Sequence, residues 1–208
     1  MKSTFFKYLL LSIASILIAE IFKKATHFDD LLYNSLSEQL TLKQIENFIG
    51  FQKKWQLIRY VFIPIFLLIK TTIIAALLYM GLLFFDNDLK FTSLWNIVLK
   101  GEFIFLLVPI FKIIWFYFFQ INYTLKDIQN FYPLSALNIL EHEELELWLI
   151  YPFQILNVFE LVYIIYLGYQ MGQLTNTNTD NGLKIVGYSY VHALVLWIVT
   201  IMFFIRNY

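Results

Sequence analysis

Residues 60–85, YVFIPIFLLIKTTIIAALLYMGLLFF, decide the fold of this chain. About 20 mostly apolar residues are enough to cross the hydrocarbon core of a bilayer, and this stretch is longer than that. Its only charged residue is Lys70. The stretch therefore predicts a transmembrane helix, and it predicts that Lys70 faces protein or water rather than lipid.

Other apolar stretches extend this prediction to the whole chain. Residues 103–121, 148–171 and 185–205 are also long enough to cross a membrane. Residues 8–22 form a shorter apolar stretch, which we interpret as a retained helix that either spans the membrane or anchors the chain at a tilt. The sequence predicts an all-α fold, in which residues 1–208 form one polytopic membrane bundle with four or five transmembrane helices.

The composition agrees with a membrane protein and excludes several classes of function. Hydrophobic residues make up 60% of the chain and charged residues 14%, whereas soluble domains have about 25% charged residues. The formal net charge is zero, so no basic surface for nucleic acid is expected. The chain has no Cys, which excludes disulfides, thiolate metal sites and a Cys nucleophile.

Signatures of catalysis are missing from the sequence. It contains no His-Glu-x-x-His, no Gly-x-Ser-x-Gly and no phosphate-binding Gly-rich loop. Carboxylates surround His142 in residues 141–146, but such a run is more typical of a solvated helix face than of a metal site. We therefore expect a non-enzymatic protein without metal or cofactor.

The connection over residues 23–59 contains a predicted amphipathic helix. Thr41 followed by Gln44 fits a capping box at its start. Lysines occupy the remaining surface of this helix. It is either an interfacial helix at the membrane surface or an ordinary helix packed on the bundle. The apolar residues that recur at roughly helical spacing are Ile45, Phe48, Ile49 and Trp55.

The distribution of Lys and Arg predicts the orientation. Cytoplasmic connections of membrane proteins are enriched in these residues. The richer side should be cytoplasmic, which places the connection 23–59 and the C-terminus in the cytoplasm of a bacterial cell, with the bundle in the inner membrane. The opposite side has Lys90, Lys100 and Lys184, plus Lys2 and Lys7 if the first helix spans. The richer side carries Lys23, Lys24, Lys43, Lys53, Lys54, Arg59, Lys126 and Arg206.

Polar residues near the middle of the predicted helices form the candidate site. At about 1.5 Å per residue, several of them fall at similar depths in the bilayer. One interpretation is a structural network in which Glu160 pairs with a lysine; the other is a pathway for a substrate, a proton or an ion. The residues of this predicted cluster are Lys70, Lys112, Gln154, Asn157, Glu160 and His192.

Two glycines predict a close helix contact. Gly168 and Gly172 form a small-xxx-small pattern, which lets two helix backbones approach each other. The pattern serves packing within the chain or dimerisation, and packing is the preferred interpretation.

Two segments carry a resemblance to a known family. Residues 157–172, NVFELVYIIYLGYQMG, and residues 51–81, with Gln52, Trp55, Tyr60, Pro64 and Lys70 in characteristic spacing, resemble bacterial members of the Yip-domain family. The resemblance implies a bundle of about five helices without catalysis.

These observations lead to two hypotheses of function. The first is a scaffold or partner-binding subunit in the lipid bilayer, with a protein partner or a second copy of the chain. The alternative is a small permease, or a permease subunit, that uses the predicted cluster.

Overall fold

The computed structural model describes residues 2–37, 39–84, 89–139 and 145–207, and these ranges contain helices and no β-strand. The predicted all-α fold is therefore confirmed. A 3₁₀ turn follows α5 at Phe103–Leu106, a second one occupies Ala136–Ile139, and a π turn occupies Gly187–Val191. The α-helices are α1 Lys2–Ala25, α2 Phe28–Ser37, α3 Leu42–Lys54, α4 Gln56–Leu83, α5 Phe91–Glu102, α6 Leu107–Phe118, α7 Leu125–Asn130, α8 Leu147–Ile155, α9 Val158–Leu174, α10 Thr179–Val186 and α11 His192–Asn207.

Three helical runs are long and apolar enough to cross a membrane. They are Thr4–Ala25, Gln56–Leu83 and Thr179–Asn207, the last comprising α10, the π turn and α11. This finding supports a membrane protein. The first run is longer than the predicted 8–22, because the helix continues through Lys7 toward the N-terminus and to Ala25 at its other end.

The predicted helix over residues 103–121 begins too late. A helical run starts at Phe91 with α5, continues through the 3₁₀ turn and ends with α6 at Phe118. The predicted stretch started directly after Glu102, and a lone carboxylate is expensive in an apolar run. In the structure Glu102 forms an ion pair with Lys70 of α4, which makes a charge inside this run tolerable.

The predicted single helix over residues 148–171 is wrong, because the chain breaks between α8 and α9. Asn157 has an extended backbone, with φ of −133° and ψ of 161°, and its side chain caps α9 by accepting a bond from the backbone N–H of Glu160 at 2.8 Å. A side chain that offers the backbone this alternative partner favours a helix start over a helix interior. Pro152 lies within α8, close to the break.

Backbone groups at the break are bonded to the segment between α7 and α8. The N–H of Ala136 donates to the carbonyl of Leu156 at 2.8 Å, and the N–H of Val158 donates to the carbonyl of Leu134 at 3.0 Å. Ser135 and Asn157 form an isolated antiparallel bridge between these bonds. The segment thus satisfies backbone groups that the break leaves free, which is the condition under which a membrane helix tolerates an interruption.

The core lies where α4, α5, α9 and the start of the last helical run meet. Leu78, Val98, Leu167 and Met171 have no exposed surface. The last helical run is antiparallel to α8, since Trp197 Nε1 donates to Tyr151 Oη at 2.8 Å while Arg206 stacks over the Trp148 ring at 5.6 Å. α1 packs along α4, α5 and α6.

The predicted amphipathic helix is α3. The backbone N–H of Thr41 donates to Gln44 Oε1 at 2.9 Å, as expected for the capping box. Ile45 is buried against the protein, whereas Phe48 and Phe51 are exposed. Much of the apolar face of α3 is therefore not covered by the described residues of the chain.

Candidate functional site

The centre of the bundle contains a polar cluster that shares Lys70 and Glu160 with the predicted one but otherwise consists of different residues. Lys70 Nζ of α4 lies 2.8 Å from Glu102 Oε2 of α5. The same ammonium group stands 4.1 Å from the centroid of the Phe105 ring, a distance that allows a cation–π contact. Glu102 is only 4% exposed, whereas Lys70 is 47% exposed. The carboxylate is thus fixed in the interior by a lysine that approaches from the bundle surface.

Tyr163 of α9 fits beside Glu102 because the neighbouring residue of α5 is a glycine. A Cβ atom at Gly101 would lie 2.5 Å from the Tyr163 ring, so another residue at this position would displace the ring. The Tyr163 hydroxyl lies close to Glu102 without forming a hydrogen bond of normal geometry with it. Among the described residues, neither this hydroxyl nor Glu102 Oε1 has a hydrogen-bond partner, although both are buried.

Glu160 belongs to the same neighbourhood but is held by a tyrosine. The Tyr190 hydroxyl, in the π turn, donates to Glu160 Oε1 at 2.6 Å. Tyr163 and Tyr190 meet edge to face, with ring centroids 5.6 Å apart. We name the five residues Lys70, Glu102, Glu160, Tyr163 and Tyr190 the polar cluster. In the described part of the chain, the proposed pairing of Glu160 with a lysine does not occur.

Lys112 lies outside the polar cluster. Its ammonium group donates to the carbonyl of Ile128 in α7 at 3.0 Å and stands 4.8 Å from the centroid of the Tyr132 ring. The depth calculation placed Lys112 wrongly because it counted from residue 103, whereas the helical run begins at Phe91. Lys112 therefore attaches α7 to α6.

The remaining predicted residues are divided between the helix break and the surface. Asn157 caps α9 and also donates to the carbonyls of Gln154 and Ile155, each at 3.1 Å. The Gln154 side chain is half-buried. His192, the first residue of α11, is exposed and does not join the polar cluster.

The predicted glycines lie against α10 of the same chain. A Cβ atom on Gly168 would come within 2.4 Å of the Leu183 side chain, and one on Gly172 within 2.6 Å of the Asn178 carbonyl oxygen. A third glycine, Gly182, faces both: its Cβ would lie 2.0 Å from the Gly168 oxygen. The geometry favours packing within the chain over dimerisation at this pattern.

A large groove lies beside the polar cluster. Its volume is about 1200 Å³, and its walls come from α6, the segment 127–139, the break between α8 and α9, and α11. Most of its lining is apolar, and Glu160 of α9 is one of the lining residues. We name this cavity the α6–α11 groove.

No metal site is apparent in the described ranges, which contain no group of three or more His, Asp or Glu residues placed to hold an ion. The predicted acidic run lies mostly outside them, since residues 141–144 are not described and only Glu146 is.

Sequence reasoning missed Glu102, Tyr163 and Tyr190. Glu102 directly precedes a predicted span, so a search that allowed paired charges between runs would have found it. The tyrosines gave no such signal, because a tyrosine in an apolar run is ordinary.

Comparison with known proteins gave no relative: no family model, no curated protein and no solved structure matches the chain. The resemblance to the Yip-domain family therefore stays a prediction.

Proposed function

We propose that the chain is a non-enzymatic, multi-pass membrane protein that acts as a scaffold or partner-binding subunit. The observation that carries this proposal is that the interior charged residues are bonded to residues of neighbouring helices. Lys70 is bonded to Glu102, which connects α4 to α5, and Glu160 is bonded to Tyr190, which connects α9 to the last helical run. Polar groups used in this way hold helices together, since no aqueous partner is available in hydrocarbon.

Five membrane crossings complete the proposal. They would be α1, α4, the run from α5 to α6, the broken pair α8–α9, and the run from α10 to α11. Contacts between α2 and α7 support this arrangement, because they bring two connections to one end of the bundle, as alternating helix directions require. The Lys and Arg distribution supports a cytoplasmic position for this end and for the C-terminus, in a bacterial inner membrane.

The alternative, a small permease, is favoured by one specific observation. The break between α8 and α9 places the start of α9, including Glu160, beside the α6–α11 groove. Transporters often build their binding sites from such interrupted helices. A permease would need water to reach the polar cluster during its cycle, which a structural network does not.

Thiol labelling separates the two functions, since the chain has no Cys of its own. Ser189, which is buried beside Tyr190, would be changed to Cys and exposed to a membrane-impermeant thiol reagent from each side. We expect no labelling. The positive control is Ser37→Cys, at the exposed last residue of α2, which should be labelled from one side.

Labelling of Ser189→Cys in folded protein would contradict the scaffold and support the permease. A scaffold should in addition co-purify with another protein at fixed stoichiometry in mild detergent. A preparation that contains only copies of this chain would count against a hetero-partner and leave a homo-oligomer as the scaffold.

A further inference from the structure

The α6–α11 groove is large enough for a ligand of its own. Small-molecule sites usually have volumes of about 300–1,000 Å³ and mostly apolar walls with few polar groups. The groove has about 1200 Å³ and is lined by side chains such as Leu161, Ile164, Leu194 and Val195. The groove is thus somewhat larger than a usual small-molecule site, and its apolar walls suit a hydrophobic molecule.

The charges of the lining have one sign. Asp127 and Glu160 are the charged residues among the described lining residues, and both are acidic. Asp127 Oδ2 is used to cap α7, where it accepts from the backbone N–H of Thr124 at 2.7 Å. Glu160 uses Oε1 for Tyr190, and its Oε2 accepts no hydrogen bond from the described residues. Asp127 Oδ1 and Glu160 Oε2 thus accept no hydrogen bond from the described residues, and Glu160 is the one that shares α9 with the apolar lining residues Leu161 and Ile164.

Aromatic rings add to the apolar lining of the groove. Phe111, Trp115 and Phe131 line it, and the Trp115 ring stacks on both Phe119 and Phe131, with centroids 5.2 and 5.0 Å away. The stacked rings therefore contribute apolar surface rather than free faces. An apolar lining with two carboxylates and no basic residue among its described members fits a hydrophobic molecule with a single positive charge, and it disfavours an anion.

We propose that the α6–α11 groove binds a lipophilic monocation, with Glu160 as its counter-charge. The site is independent of the scaffold function: it can be occupied whether or not the chain has a protein partner, and its failure would leave the scaffold proposal intact.

The test uses tetraphenylphosphonium as the probe and the full chain in lipid nanodiscs. Binding of the radiolabelled cation is measured against empty nanodiscs, which removes partition into lipid. We expect saturable binding. Methyltriphenylphosphonium should displace the probe, whereas the neutral triphenylphosphine oxide, with the same three rings, should not.

Two pairs of variants, each with a test and a control, locate the site. Glu160→Gln removes the counter-charge and should weaken binding about tenfold or more, as expected for a lost interaction with a charged group. Asp180→Asn, at an exposed position outside the groove, should bind normally. Val195→Trp fills the groove without changing the charge and should abolish binding, while Val199→Trp, an exposed site one turn farther along α11 that does not line the groove, should not.

The pair Val195→Trp and Val199→Trp keeps the test decisive if Glu160→Gln does not fold. Absence of saturable binding, equal displacement by the neutral compound, or unchanged binding in Val195→Trp would each overturn the proposal.

Discussion

At the scale of single residues, the polar cluster combines satisfied and unsatisfied groups. Lys70 and Tyr190 each give a hydrogen bond to a carboxylate, while Glu102 Oε1 and the Tyr163 hydroxyl have no partner in the described structure. Buried polar groups without partners are uncommon in native proteins. The two kinds of group should therefore respond differently to substitution.

The two tyrosines offer a matched comparison. Tyr190→Phe removes a donor to a carboxylate and should destabilise the protein by about 1–3 kcal/mol. Tyr163→Phe removes a hydroxyl without a partner and should change stability by no more than about 0.5 kcal/mol. Thermal unfolding in detergent would measure both. Equal destabilisation would mean that Tyr163 is bonded in solution.

The ion pair between Lys70 and Glu102 can be tested with a double-mutant cycle. We expect the changes Lys70→Met and Glu102→Gln to be non-additive, with a coupling free energy of about 1–3 kcal/mol, because each single change leaves a charge without its partner. As a control, Lys112→Met and Glu160→Gln should be nearly additive, since Lys112 is bonded to α7. Additivity in the first cycle would exclude the pair as a stabilising contact.

The residue scale also shows why part of the site could be predicted and part could not. Lys70 and Glu160 could be identified because each is a charge in the middle of an apolar run. The free-energy cost of removing such a charge from water must be compensated by contacts with other residues. The identity of the partner depends on where helices begin and cross. The sequence pattern gave the wrong start for the run containing Lys112, and it gave no reason to select Tyr190.

At the scale of elements, the contact between α9 and α10 depends on three glycines. Apolar periodicity could suggest that Gly168 and Gly172 face a neighbour, but it could not name α10 as that neighbour. The third glycine, Gly182 of α10, carried no signal on its own. Similarly, the apolar content of residues 148–171 predicted one helix. In the folded chain Asn157 caps the start of α9 instead, and hydropathy alone gave no sign of this role.

Gly182→Ala should be severely destabilising. The added Cβ would lie 2.0 Å from the Gly168 oxygen and 2.5 Å from the Gly172 nitrogen, both backbone atoms that cannot move away independently. Overpacking typically costs about 1–3 kcal/mol, and this site should reach or exceed that range. Gly50→Ala is the control: nothing lies within 4 Å of its Cβ, and alanine favours a helix. A folded, fully stable Gly182→Ala would contradict the geometry.

We expect α3 to lie on the membrane surface. Its Phe48 side chain is exposed and apolar, while Lys43 is exposed on the opposite, polar side of the helix. Nitroxide labels on Phe48→Cys and Lys43→Cys would be compared by their accessibility to oxygen and to a water-soluble relaxation agent. The label at position 48 should be the deeper one; equal depths would favour a helix held only by protein contacts.

At the scale of the whole molecule, composition and run length predicted a membrane protein made of helices. Three runs have the length and apolar content to cross a bilayer. A hydropathy pattern predicts the number of crossings less well, because one of the proposed crossings contains a 3₁₀ turn and another contains a break. Such interruptions are stabilised by tertiary contacts that no local window contains.

Reporter fusions test the proposed topology. A reporter after Arg206 and one inserted at the exposed Asp30 should both read as cytoplasmic, because the Lys and Arg residues are concentrated at that end. A reporter near Thr177, between α9 and α10, should read as periplasmic and serves as the control. A periplasmic signal after Arg206 would reverse the orientation.

The docking of residues 134–136 onto the α8–α9 break is made by main-chain atoms. Leu134 lies in the left-handed region, with φ of 56°, and its side chain and that of Leu156 are largely exposed. The bonds themselves do not depend on which side chains these positions carry, whereas their register depends on the number of residues that lead to them. Most substitutions at Leu134 and Leu156 should therefore be tolerated, except β-branched residues at the positive φ of Leu134, while gaining or losing one residue would be costly. We therefore expect the number of residues between α7 and α8 to be more strictly constrained than their identity.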